Sequence, residues 1–269
     1  MNDADRPIGV FDSGVGGLSV LREIRRALPQ ENLLYVADSG HAPYGDQPSE
    51  FIEGRASAVV RFLLEANVKA ITIACNTATV VAVEKLRSWS PVPIVAIEPA
   101  IKPAAAGTRT GVIGVLATRA TLASGNVARL VAQHAAHLQV HLQPCPGLVE
   151  QVERGDLDSA ETRALLVRYI APLLEKHVDT LVLGCTHYPF LEPLIREVAG
   201  PGVAVIDPSA AVARELVRRL DGNRLSTTAS RQGTDTFYTS GPLDDARFVM
   251  PRLWGKPIDV LPLPAAGSR

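Results

Sequence analysis

Two cysteines, Cys75 and Cys185, end two copies of one sequence. Residues 63–75 read LLEANVKAITIAC and residues 173–185 read LLEKHVDTLVLGC, at a constant offset of 110 residues between Cys75 and Cys185. Leu63/Leu173, Leu64/Leu174, Glu65/Glu175 and Val68/Val178 are identical across the pair. A lone cysteine after an apolar strand is often a small buried hydrophobe. Two at one repeat position, each followed by polar residues (Cys75-Asn76-Thr77 and Cys185-Thr186-His187), point instead to chemistry. A thiol whose pKa is about 8.5 exchanges protons near neutrality. Thiols on opposite faces of one substrate carbon are what stereochemical inversion by proton transfer requires. An expected helix N-terminus after each cysteine would favour thiolate and lower its pKa. Asn76, Thr77 and Thr186 can bind a substrate carboxylate, and His187 can tune Cys185 or protonate a neighbour.

Other segments carry weaker signals. Phe11-Asp12-Ser13-Gly14-Val15-Gly16-Gly17 joins a strand to a helical run, where backbone N–H groups could form an anion site. No Gly-Lys-Ser/Thr follows, and the glycine spacing fails the dinucleotide fingerprint. Asp12 and Ser13 remain, suited to an ammonium and a carboxylate. In the Ser39–Gly45 loop, Pro43 and Gly45 set a turn and Tyr44 offers a hydroxyl at its rim. His134, His137, His141 and Cys145 resemble a metal set, but 138–144 reads as a strand on which they diverge, so no metal is expected. Glu150 and Glu153 line a cleft or lie on a solvated helix face.

The elements that position these residues follow from the repeat. Ile8-Gly9-Val10-Phe11 opens one half and Ile113-Gly114-Val115-Leu116 the other; Ile94–Pro99 and Val203–Pro208 close them. Apolar runs alternating with helical patterns imply an α/β fold with parallel sheets. Two similar α/β domains are expected, related by a pseudo-twofold, with the active site between them at the carboxyl ends of the strands. The expected boundaries are 1–98, 99–206 and a C-terminal segment, 207–269, that returns to the first domain. Within that segment, 209–221 reads as an amphipathic helix, 237–240 as a strand, and the final LPLPAAGSR as a loosely held terminus.

At 269 residues, with 46% hydrophobic content, the chain supports two cores. A formal charge of −1 argues against nucleic acid as a partner. The opening MNDADRP has no signal-peptide pattern and no apolar run reaches the length of a membrane span. Three cysteines then read as reduced thiols in the cytoplasm.

Taken together, IGVFDSGVGGLSVL, YVADSGHAPYG, ACNTAT, GVIGVLATRATL, the VERG segment and LGCTHYPFL resemble, in order and nearly end to end, the glutamate racemases of the aspartate/glutamate racemase superfamily. The resemblance implies cofactor-independent interconversion of L- and D-glutamate, with D-glutamate supplied to peptidoglycan. Cys75 would act on the D-enantiomer's proton and Cys185 on that of the L-enantiomer. Asp12, His187 and Glu153 would assist the thiols. Asp12, Ser13, Tyr44, Gly45, Asn76, Thr77, Thr118, Thr121, Thr186 and His187 would hold the substrate. Ala117 and Ala120 stand where the family commonly has glycine. Glutamate is the expected small-molecule partner, and a homodimer is carried as an open expectation. Two rivals differ in kind: an amino-acid binding protein, which needs neither cysteine, and a hydrolase using Cys185 and His187, which leaves Cys75 unexplained.

Overall fold

The computed structural model describes residues 3–264. The first half runs β1 (Ile8–Asp12), α1 (Leu18–Ala27), β2 (Leu33–Ala37), α2 (Ser49–Glu65), β3 (Ala70–Ile73), α3 (Asn76–Trp89) and β4 (Ile94–Ala96). The second runs α4 (Ile101–Gly107), β5 (Val112–Ala117), α5 (Arg119–Leu122), α6 (Gly125–His134), β6 (Gln139–Pro144), α7 (Leu148–Glu153), α8 (Ala160–Leu174), β7 (Thr180–Gly184), α9 (Glu192–Ala199) and β8 (Ala204–Ile206). The chain continues through α10 (Ser209–Gly222), β9 (Asp235–Thr239), α11 (Leu243–Trp254) and β10 (Val260–Pro262). Every strand pairing is parallel. Four strands of the first sheet, in the order β2-β1-β3-β4, recur as β6-β5-β7-β8 in the second. This is the expected pair of parallel-sheet α/β domains.

The repeated residues are those that turn a helix into a strand. Val68 N–H bonds the Leu63 carbonyl and Asn67 N–H that of Leu64; Val178 and His177 do the same with Leu173 and Leu174. These are the paired bonds of a Schellman turn, which places its C′ residue in the left-handed region. Asn67 and His177 have φ of 59° and 61°. Each turn delivers a leucine and a valine onto a glycine of the opening strand. A Cβ on Gly9 would meet Leu63 and Val68 at 3.0–3.2 Å, and one on Gly114 would meet Leu173 at 3.0 Å and Val178 at 3.4 Å. The 13-residue repeat therefore encodes helix termination, strand entry and the packing between them.

Helices cover both faces of each sheet, which explains why β1, β2, β3, β5 and β7 are buried along their whole length. On α2, Ile52, Ala56, Val59, Val60 and Leu63 are buried, an apolar stripe at helical spacing. β9 pairs with β2, and β10 with β9. One apolar cluster runs from the first sheet through α10 and α11 to the second. Leu261 and Pro262 thus belong to a strand, and Leu263 N–H bonds the Thr239 carbonyl at 2.7 Å. That corrects the reading of a loosely held end for 261–263; residues 265–269 lie outside the described residues. Among the described residues, no helix is long and apolar enough to cross a membrane, and all three cysteines are free.

One buried carboxylate ties the second domain's base. Asp179 accepts from Thr108 Oγ1 (2.6 Å), Arg109 N (2.6 Å), Thr110 N (2.9 Å) and Thr180 Oγ1 (3.0 Å). Burial pushes this carboxyl up, but the four donors outweigh it and hold it at about 2, below the ordinary 3.8. The depressed value means that its contribution is complete above pH ~4 and is lost as the pH falls through about 2. Asp179→Ala strands two backbone N–H groups. We expect a loss of about 3 kcal/mol and a Tm roughly 6–12 °C lower at pH 7, read by thermal melts. An unchanged Tm would show that water replaces the carboxylate without cost.

Candidate active site

The carboxyl ends of β1, β3, β5 and β7 converge on one cavity between the domains. It is lined by Ser13, Pro43, Tyr44, Gly45, Cys75, Asn76, Thr77, Thr118, Val149, Gly184, Cys185, Thr186 and His187. Both thiols are there, 5% and 7% exposed, so each can meet a ligand that fills the space while water is held off. Cys75 is the N-cap of α3: its Sγ accepts from Ala78 N at 3.4 Å and lies 3.3 Å from Ser13 Oγ. Cys185 Sγ lies 3.7 Å from His187 Nδ1. The chain after Cys185 forms a tight 3-10 turn, Tyr188–Leu191, and α9 begins only at Glu192. The expected α-helix N-terminus is thus present at Cys75 and absent at Cys185, where Pro189 falls in the first turn and cannot donate to a helical ladder.

Burial pushes the Cys75 thiol up to about 12, and the Asp12 carboxylate adds to the rise, while Ser13 and Ala78 N–H only moderate it. This overturns the expected lowering: desolvation of a buried thiolate outweighs one helix terminus. Cys75 is therefore a thiol at neutral pH.

His187 is fixed from its other side. Nε2 lies 2.6 Å from Glu153 Oε1, which also accepts Val15 N–H at 2.7 Å; Glu153 Oε2 accepts from Ser39 Oγ at 3.1 Å. Burial alone lowers His187, but Cys185 and Glu153 outweigh it and lift the imidazole well above its ordinary 6.5. An imidazolium donates from both nitrogens, one to Glu153 and one toward Cys185. Asp12, fully buried, accepts Gly14 N–H at 3.0 Å and Thr186 Oγ1 at 3.1 Å. Burial raises it, against the pull of His187. Ser19 Oγ donates to the Thr186 carbonyl at 2.9 Å. These bonds join the 12–19 turn to the second domain. The turn's Val15 N–H is occupied by Glu153, not left open as the expected anion site.

Opposite, three hydroxyls meet across the domain boundary. Thr77 Oγ1 lies 3.0 Å from Thr118 Oγ1 and 3.2 Å from Thr121 Oγ1, and Thr118 donates to Thr121 at 3.0 Å. Asn76 is 3% exposed and its side-chain nitrogen and oxygen are both unpartnered. A buried amide with four free bonding positions at a cavity wall is a ready ligand for a carboxylate or ammonium. Beyond Pro43, Gly45, Thr118 and Val149 the cavity opens into a vestibule that Asp46, Arg119, Cys145, Pro146 and Glu150 also line.

Among the sequence-derived candidates, Ser13, Tyr44, Gly45, Cys75, Asn76, Thr77, Thr118, Cys185, Thr186 and His187 line the cavity itself. Asp12, Thr121 and Glu153 stand directly behind it, bonded to lining residues. Glu153 is the carboxylate that reaches His187, while Glu150 lines the vestibule. Among the described residues no metal-holding group occurs, so His134, His137, His141 and Cys145 are not gathered. Sequence reasoning missed Tyr35, whose hydroxyl donates to the Gly14 carbonyl at 2.6 Å inside a wholly buried strand. Its one signal was a phenol in an otherwise apolar run. It also missed Ser19 and Arg55, which carried none.

The family model described as Asp/Glu/Hydantoin racemase matches residues 8–216. The glutamate racemase of Methylococcus capsulatus is 54% identical over 265 residues, 98% of this chain and 98% of that protein. Among solved structures, glutamate racemase isoform RacE1 from Bacillus anthracis superposes with a TM-score of 0.88 at 33% identity, covering 96% of this chain and 97% of the other. Glutamate racemase from Francisella tularensis in complex with D-glutamate gives 0.85 at 28% identity, covering 97% and 98%. With Cys75 and Cys185 on one cavity and these relatives along its whole length, the chain belongs to the Asp/Glu/Hydantoin racemase family.

Proposed function

We propose that the protein interconverts L- and D-glutamate by direct proton exchange between Cys75 and Cys185. The observation that carries this reading is the placement of the two thiols, one from each domain, on a single cavity. One thiolate removes the α-proton and the opposite thiol returns a proton to the other face. Reaction in the reverse direction exchanges their roles. The carbanion is stabilised as it forms by donors at the cavity wall: Asn76, Thr77 and the backbone N–H groups opening α3. Among the described residues no lysine or arginine lines the inner cavity, so neutral dipoles and the His187 imidazolium meet the substrate's negative charge.

The two thiols sit in unlike surroundings. Cys185 Sγ lies 3.7 Å from the His187 imidazolium, while burial and the Asp12 carboxylate hold Cys75 as a thiol. The family pattern assigns the Cys185 face to the L-enantiomer. D-Glutamate released in the cytoplasm would feed peptidoglycan synthesis. The test is proton NMR and polarimetry of L- and D-glutamate, then aspartate, in deuterated water without added cofactor. Loss of the α-proton signal together with optical rotation, for glutamate alone, is the expected result. No exchange on a folded, reduced protein would overturn the reading.

A further inference from the structure

The loop that presents Tyr44 and Gly45 to the cavity is held from behind by one buried carboxylate. Asp38, just past β2, accepts from Tyr44 OH at 2.5 Å and from Arg55 Nε and Nη2 at 3.0 and 2.8 Å, and lies 3.0 Å from His41 Nδ1. Its remaining partner comes from the far end of the chain. Ser240 Oγ, just past β9, donates to Asp38 Oδ1 at 2.7 Å and accepts Gly40 N–H at 3.1 Å. Backbone contact is as close: a Cβ on Gly40 would stand 2.6 Å from the Ser240 carbonyl oxygen. Ser240 is itself fixed by register, since Thr239 pairs with Ala37 and Ser240 N–H bonds the Ala37 carbonyl at 3.1 Å. On its other side the loop is tied to Glu153 through Ser39.

We infer that Ser240 is a positioning residue for substrate binding, acting through Asp38 and Gly40 on the Tyr44-Gly45 segment. The C-terminal strand is then part of the construction of the site as well as an edge of the sheet. This rests on the racemase reading above. Removing the hydroxyl takes one donor from Asp38 and leaves Gly40 N–H without its acceptor. Arg55 and Tyr44 still hold Asp38, so the loop shifts while the domain stays folded. The thiols and His187 have no bond to Ser240, so the loss falls on binding and leaves the proton-transfer step alone.

Ser240→Ala is expected to raise KM for both enantiomers roughly three- to tenfold with kcat within about twofold of wild type. Ser240→Thr, which keeps the hydroxyl, should restore KM. Thr234→Ala is the control: it removes a hydroxyl bonded to Asn32 Oδ1 at 3.0 Å just before β9 begins, at the end of the sheet away from the cavity. It should leave KM unchanged. A wild-type KM in Ser240→Ala, an equal rise in Thr234→Ala, or no recovery in Ser240→Thr would each overturn the inference. Absence of glutamate racemisation by the wild type would instead sink the racemase reading, and this inference with it.

Discussion

Cys75→Ser is expected to lose racemisation in both directions by at least about 10³-fold, yet to keep exchanging the α-proton of one enantiomer with solvent. A serine hydroxyl is far too weak an acid to give or take a proton in a step built for a thiol. Cys185 and its imidazolium partner remain, so the enantiomer presented to Cys185 still loses its proton and takes it back on the same face. By the family assignment that enantiomer is L-glutamate. Cys185→Ser should show the mirror result, with exchange confined to D-glutamate. Enantiomers have equal free energy, so kcat/KM must fall equally in the two directions, whichever cysteine is changed. Exchange carries no such constraint, and its one-sidedness therefore reports which face each thiol serves. NMR in deuterated water measures exchange, and polarimetry measures inversion. Wild-type inversion by Cys75→Ser would sink the two-base scheme; exchange of the opposite enantiomer would reverse the assignment while keeping the scheme.

The fold class was legible because the repeat falls on residues with geometric duties. Leu63, Asn67 and Val68, with Leu173, His177 and Val178, end a helix and seat it on Gly9 or Gly114. Such local requirements leave a pattern that a reader can align. α11 left one too, with Ala246, Val249, Met250 and Leu253 buried at helical spacing, but no repeat partner drew attention to it. β10 was hidden by Pro262 within it and Pro264 just after it, since proline suits an edge strand or a chain end equally.

In the site, the residues that touch the cavity were legible because acids, thiols and hydroxyls directly follow strand ends. What bonds to them from a distance was not. Glu153 meets Val15 across 138 residues, and Ser240 meets Asp38 across 202; no local periodicity encodes either contact. The state of Cys75 was misjudged for a related reason. A helix N-terminus is visible in sequence, whereas the burial that overrides it belongs to the assembled domains.

The same assembled geometry makes Gly16 the position in the 12–17 turn that bears directly on the His187 ring. A Cβ there would overlap the His187 ring at Nδ1, Cε1 and Cγ. Gly16 does not have a positive φ, so alanine is conformationally permitted and the conflict is one of space alone. His187 can relieve it only by moving off Cys185 or Glu153, the contacts that set its charge. Gly16→Ala is therefore expected to lower kcat by about 10²-fold or more, with overpacking costing roughly 1–3 kcal/mol of stability. Gly54→Ala in α2, where nothing lies within 4 Å of the new Cβ, should leave kcat intact and add about 0.5–1 kcal/mol. The deciding measurement is a double-mutant cycle with His187→Ala. If Gly16 acts through the imidazole, Gly16→Ala costs almost nothing further once the ring is gone. If the two losses instead add, the glycine serves the turn's own shape or Glu153, and the steric account of His187 fails.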